Sequence, residues 1–212
     1  MNPSNKIAVI IPAAGASSRF GGLMPKQFSR LGDETVLEKS VNLFLGISSV
    51  NQVVIAVNQN DDLIKSQSFY QDPRIKIVAG GSTRSESVFN AMAEVDENVE
   101  IVAIHDSARP WLKKIHFKDL LSHLANDQSI EGVFPVILAT DSLRMKQGVD
   151  FIPVERENFF HVQTPQIFYH DSLKLALDKL QQKGLHMSDE SQAMEHAGFK
   201  VLAVPGERSN IK

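Results

Sequence analysis

Cysteine is missing from the chain altogether. Disulfides, zinc–thiolate centres and thiol nucleophiles are therefore excluded, which fits a reducing compartment. A surplus of basic residues is missing too: 22 Lys and Arg stand against 25 Asp and Glu, a formal charge of −3. No global field draws the chain to nucleic acid or to an anionic membrane, so an anionic ligand must be met by a local cluster of cations. Nor is there a long apolar run. The stretch from Ile7 to Ala14 is far shorter than the roughly 20 residues of a membrane span, and it lacks the layout of a cleavable signal. The expectation is a cytoplasmic protein that binds neither nucleic acid nor membrane.

Several familiar signatures are absent as well. No G-x-x-x-x-G-K-[ST] is present, which rules out a P-loop, and no G-x-G-x-x-G supports a nicotinamide or flavin site. The seven histidines are scattered without an H-E-x-x-H pair, and no serine has a G-x-S-x-G setting. Zinc hydrolysis and acyl transfer are left without support.

What is present is a rhythm of short Val- and Ile-rich runs: IAVII from Ile7, VVIAV from Val53, IKIVAG from Ile75, EIVAIHD from Glu100 and GVFPVIL from Gly132. Runs apolar on both faces are the pattern of buried parallel strands. Helical stretches alternate with them. In TVLEKSVNLFLGI, Val36, Leu37, Val41, Leu43 and Phe44 fall mostly on one stripe, and Thr35 and Glu38 have the spacing of a capping box, repeated at Thr83 and Glu86. The pattern predicts an α/β, doubly wound, mostly parallel sheet. From about Thr140 two short extended runs flank Gln147-Gly148-Val149-Asp150, predicting a projecting β-arm at about 139–159. Helices near 171–183 and 188–197, stopped by Gly184 and Gly198, precede a last strand. No repeat, low-complexity segment or linker interrupts the chain, so 1–212 reads as a single domain with one excursion.

In such a sheet, ligands bind beyond the carboxyl ends of the strands. The first strand runs there into IIPAAGASSRFGGLMPKQF, a loop of small residues whose backbone N–H groups can approach phosphate oxygens, with Arg19 and Lys26 as fixed cations. A mobile turn would also be rich in small residues, but the two cations weigh against that reading. AGGSTRSESV is a second such turn, in which Gly80 and Gly81 allow close approach and Ser82 and Ser87 offer hydroxyls. It reads equally as a plain strand-to-helix turn capped by Thr83. In IHDSARPWL, Asp106 sits at the end of the fourth strand, placed to meet a metal or a hydroxyl, or to pair locally with Arg109, while His105 reads as a packing residue. Arg19, Lys26, Arg84, Arg109, Arg156, Arg208 and Lys212 all fall in loops or at element ends. Phosphoryl and nucleotidyl transfer depend on positioning and charge neutralisation more than on a covalent nucleophile. The residues alone thus point to an α/β protein that handles a polyphosphate nucleotide.

The motifs PAAGASSRF…PKQF, GGSTRSESV, HDSARP, QTPQIF, SDESQAMEHAG and SNIK span nearly the whole chain. In that order they resemble the sugar-phosphate cytidylyltransferases, and most closely the 2-C-methyl-D-erythritol 4-phosphate cytidylyltransferases of the non-mevalonate isoprenoid pathway. The resemblance implies a Rossmann-like nucleotidyltransferase fold, with transfer of CMP from CTP to the sugar-alcohol phosphate and release of pyrophosphate. It also implies Mg2+ bound mainly through the CTP phosphates, with Asp106 a candidate protein ligand. By position, Arg19, Lys26 and Lys212 would hold the α-phosphate. Ala13, Ala14, Gly15, Gly81, Ser82 and Ser87 would surround the nucleotide, and Asp106 and Arg109 would face the nucleotide sugar and the acceptor. Thr164 joins the acceptor-binding set. Ser142 (or, in another register, Thr140) and Arg156 match arm positions that reach the acceptor phosphate of a partner subunit, which implies a homodimer.

The chain departs from the family pattern in Gly15-Ala16-Ser17-Ser18-Arg19, where a second glycine and paired arginines are usual, and in Ser209, where Asp is usual. A ribitol 5-phosphate cytidylyltransferase shares fold, CTP and arm, but usually opens its first loop with AGG rather than PAAG. A non-catalytic nucleotide-binding module would keep the cradle and lose the cations, against which Arg19 and Lys26 argue.

Overall fold

The computed structural model describes residues 6–15, 25–185 and 187–212. β1 (Ile7–Pro12) is followed by a one-turn helix at Lys26–Phe28, a small ribbon of β2 (Arg30–Leu31) and β3 (Glu34–Thr35), and α1 (Val36–Leu45). Next come β4 (Val50–Val57), β5 (Ile75–Ala79), α2 (Arg84–Met92), β6 (Ile101–Ile104), α3 (Lys114–Asn126) and β7 (Gly132–Leu138). β8 (Leu143–Gln147) and β9 (Asp150–Val154) form the arm, and β10 (Phe160–Val162), β11 (Gln166–Tyr169), α4 (His170–Lys183), α5 (Glu190–His196) and β12 (Val201–Pro205) complete the order.

The apolar runs became strands because helices cover both of their faces. β1 lies parallel between β4 and β6, with β5 parallel outside β4. Ala8, Val9, Ile10 and Ile11 are wholly buried, as a central parallel strand requires. On one face Leu37, Val41 and Phe44 of α1 and Phe117 and Leu121 of α3 pack together. On the other, Val88 of α2, Leu173 and Leu177 of α4 and Met194 of α5 do the same. Each such side chain stabilises the fold by about 2–3 kcal/mol relative to exposure.

Two strands break the parallel rule. β11 runs antiparallel between β6 and the start of β7, and β10 pairs antiparallel with the end of β7. β12 lies parallel to β7 on its other edge. Both capping boxes are made. Glu38 N donates to Thr35 Oγ1 at 3.0 Å and Thr35 N donates to Glu38 Oε2 at 2.7 Å; Thr83 and Glu86 repeat the exchange at 3.1 and 3.3 Å.

The arm is a two-stranded ribbon in register from Leu143↔Val154 to Gln147↔Asp150, turning at Gly148-Val149. Three of its large apolar side chains, Met145, Val149 and Phe151, are at least half exposed. Among the described residues no helix is long and apolar enough to cross a membrane.

Candidate nucleotide-binding site

The carboxyl ends of β1, β5 and β6 open on one edge of the sheet. At the first, Ala13 N donates to Ala56 O at 2.7 Å, leaving Ala13 buried, Ala14 half-buried and Gly15 exposed. The chain returns to this point through Gln27, whose buried amide donates to Ala13 O at 2.8 Å and to Gly15 O at 3.3 Å. Lys26, one residue earlier, is thereby fixed beside the small-residue loop. Arg19, with Ser17, Ser18, Gly21 and Gly22, lies outside the described residues.

The second turn packs directly on the first. A Cβ at Gly80 would run into the Ala14 methyl, so glycine is what lets the two loops touch. The two serines of this turn expected to offer hydroxyls, Ser82 and Ser87, are used internally. Ser87 Oγ accepts from Gly81 N at 3.1 Å and donates to Thr83 O at 2.9 Å. Ser82 donates from both its amide and its hydroxyl to Glu86 Oε2, each at 2.6 Å. Their side chains shape the turn by taking up its own amides, as Val57 O does for Gly80 N at 2.8 Å.

Asp106 is the hub of the site. Its carboxylate meets Arg84 Nε at 3.2 Å, Arg109 Nε at 3.2 Å and Lys212 Nζ at 3.1 Å. Burial pushes the Asp106 carboxyl up, but Arg84, Lys212 and Arg109 together hold it well below the usual carboxylate range. The local Asp106–Arg109 pair that the sequence allowed is real, and it is one arm of a larger cluster. Arg84 continues the chain of charges, donating from Nη1 to both oxygens of the buried Glu190 at 2.7 and 3.0 Å. Burial raises the Glu190 carboxyl against the pull of this guanidinium.

Thr164 stands behind this cluster, 5% exposed. His105 Nε2 lies 3.1 Å from Arg109 O, and a carbonyl only accepts, so Nε2 carries the proton. The bare Nδ1 then accepts from Thr164 Oγ1 at 3.2 Å, and Thr164 Oγ1 accepts in turn from Asp106 N at 3.0 Å. This relay fixes both ends of the 105–109 turn, and it commits the Thr164 hydroxyl to the protein itself. Burial lowers the His105 pKa to about 4, so the ring is neutral near pH 7.

The arm residues stand apart from this network. Ser142 is exposed, and Arg156 Nη1 donates to Thr140 O at 2.7 Å, closing the base of the arm. Among the described residues no group of three or more His, Asp or Glu side chains could hold a metal. Asp106 is a single carboxylate whose two oxygens are already paired with cations, so a magnesium ion would have to be held mostly by phosphate oxygens rather than by a protein cage.

The sequence singled out Arg84 only as one of the cations near element ends, with no role assigned, and did not single out Glu190. Each begins a helix at the ligand edge, which is a usable signal, but their pairing across 106 positions has no local signature.

A doubly wound sheet with a cation cluster and two touching small-residue turns at its carboxyl edge defines an α/β nucleotidyltransferase-like protein. The family model for 2-C-methyl-D-erythritol 4-phosphate cytidylyltransferase matches residues 7–212, and the chain belongs to that family. The enzyme of that name from Haemophilus ducreyi is 36% identical over 210 residues, covering 99% of this chain and 91% of its own. That from Blochmanniella pennsylvanica is 34% identical, covering 97% and 88%. The crystal structure of the Francisella tularensis 2-C-methyl-D-erythritol 4-phosphate cytidylyltransferase superposes with a TM-score of 0.84 at 27% identity, covering 98% of this chain and 94% of that one.

Proposed function

We propose that this chain transfers the cytidylyl group of CTP to 2-C-methyl-D-erythritol 4-phosphate in the isoprenoid pathway. The observation that carries the reading is the convergence of Arg84, Arg109 and Lys212 on Asp106 at the edge where the loops after β1 and β5 meet. A phosphate oxygen of the acceptor attacks the α-phosphorus in line. The bond to the α–β bridging oxygen breaks, and pyrophosphate leaves with the electron pair.

Charge builds on the α-phosphate oxygens during this step, and Arg19, Lys26 and Lys212 are the groups that offset it. One well-placed donor of this kind is worth about 3–4 kcal/mol. Asp106 holds Lys212 at 3.1 Å, and a phosphate offers the ammonium a further acceptor. The backbone of Ala13 to Gly15 and of Gly81-Ser82 lines the nucleotide, while Asp106 and Arg109 face its ribose and the acceptor. A magnesium ion bound with the triphosphate would supply further neutralisation, with Asp106 the carboxylate that would touch it. Ser142 and Arg156 bind the acceptor phosphate of the partner in a homodimer joined through the arm, and the enzyme works in the cytoplasm.

The test is pyrophosphate release measured for CTP, UTP and ATP against methylerythritol 4-phosphate and ribitol 5-phosphate. Turnover is expected with CTP and methylerythritol 4-phosphate. Turnover with ribitol 5-phosphate alone overturns the acceptor, and nucleotide binding without turnover in any pair leaves only a binding module.

A further inference from the structure

The segment after β12 carries Lys212 to Asp106, yet little packing holds it there. Within residues 206–212 only Asn210 is buried, Ile211 is 58% exposed, and Glu207, Arg208, Ser209 and Lys212 are also exposed. Behind the segment lies a cavity of ≈ 60 Å³, lined by Leu112, His116, Gln163 and Asn210 among others, rather than a filled core. Hydrogen bonds must therefore set its position.

Those bonds converge on one side chain. Gln163, 2% exposed, donates from Nε2 to Glu207 O at 2.9 Å and to Asn210 O at 3.3 Å, and its Oε1 accepts from Glu207 N at 3.2 Å. Two carbonyls on one side and an N–H on the other leave no alternative orientation for the amide. Asn210 completes the attachment by donating from Nδ2 to Thr164 O at 2.8 Å, and Arg109 Nη1 donates to Asn210 O at 2.8 Å. The approach is close enough to dictate Gly206, where a Cβ would collide with Gln163 Oε1. Gln163 belongs to the strand-to-strand turn between β10 and β11, so it ties the segment to the frame that also fixes Asp106.

We propose that Gln163 is a positioning residue, a buried amide clamp that docks residues 206–210 and so delivers Lys212 to the reacting phosphate. The role rests on Lys212 acting at the α-phosphate as set out above. Displacing such a group by about an ångström costs up to roughly a hundredfold in rate.

The variant Gln163→Met keeps the volume and removes all three bonds. It should lower kcat at least tenfold, with the KM values for both substrates within about twofold of the parent. Hydrogen exchange across 206–212 should quicken at least tenfold. In a Lys212→Ala background the same change should cost nothing more in kcat, since the group it positions is already gone. Should Gln163→Met fail to fold, Gln163→Glu repeats the test, since its carboxylate keeps the shape and the acceptor for Glu207 N but cannot donate to Glu207 O or Asn210 O. Parent-like exchange of 206–212 in a folded variant overturns the clamp, and multiplicative losses in the double variant overturn the positioning role. If Lys212→Ala alone leaves turnover intact, the assignment of Lys212 falls and the positioning role falls with it, while the exchange measurement still decides the clamp.

Discussion

His105 shows how much a single buried side chain contributes to the site. Its neutral imidazole is the middle link between Arg109 O and the Thr164 hydroxyl, and protonation would charge a ring with no exposure to water. Its folded pKa of about 4 lies below the ordinary 6.5, so the unfolded chain binds the additional proton between these values. Stability from His105 is thus complete above pH 6.5 and lost as the pH falls toward 4, a span worth about 3 kcal/mol. Asp106, whose pKa is also lowered, loses its contribution only at more acidic pH. Unfolding measured across pH 4–7 should show an uptake near pH 5 that falls by about one proton in His105→Asn. An unchanged slope would mean that the ring is not held neutral. The sequence marked His105 as a packing residue, which is half of its role. The other half depends on Thr164, 59 positions away, and adjacency in sequence carries no trace of it.

At the level of elements, the Arg84–Glu190 pair joins the first turn of α2 to the first turn of α5, with Asp106 at the end of β6 as the third corner. Both helices pack on the same face of the sheet, and this pair sets how they meet at the ligand edge. Removing one partner of a buried pair leaves the other charge without compensation, at about 3–5 kcal/mol. Glu190→Ala should therefore lower the urea midpoint by about 3 kcal/mol of stability at an unchanged m-value. A loss under about 1 kcal/mol would show that Asp106 alone satisfies Arg84. The helices themselves were legible in the sequence because their signals are local. Thr35 with Glu38 and Thr83 with Glu86 lie three positions apart, and both capping boxes formed as read. β10 and β11 were not legible as antiparallel strands. They have three and four residues, too few for a period to show, and their direction is set by pairing with β6 and β7.

For the whole molecule, the proposed dimer turns on the arm. Arg156 and Ser142 lie outside the network around Asp106, whereas Lys26 is next to Gln27, which is bonded to Ala13 and Gly15. If the proposed dimer shares its sites, chains carrying Arg156→Ala and chains carrying Lys26→Ala should recover part of the activity on mixing, because one site of each heterodimer receives both intact residues. No recovery in heterodimers shown to form by mass would mean that each chain completes its own site. The exposed Met145, Val149 and Phe151 supply an apolar surface for such an interface. The arm and the parallel core were readable from turn residues and apolar runs, whereas a homodimer was implied by the resemblance alone, since an unpartnered face looks the same in sequence whatever covers it. The path of the chain into and out of the arm has a separate consequence. It leaves β7 at Leu138 and re-enters at Phe160, opposite partners on one rung, with Ala139 N donating to Phe159 O at 2.9 Å. The ends to be rejoined are already neighbours, so the arm is a cassette that can be shortened or exchanged between relatives without moving the sheet. If the arm binds the acceptor as proposed, recognition of the acceptor can then diversify, by evolution or by grafting, while the sheet edge around Asp106 stays as it is.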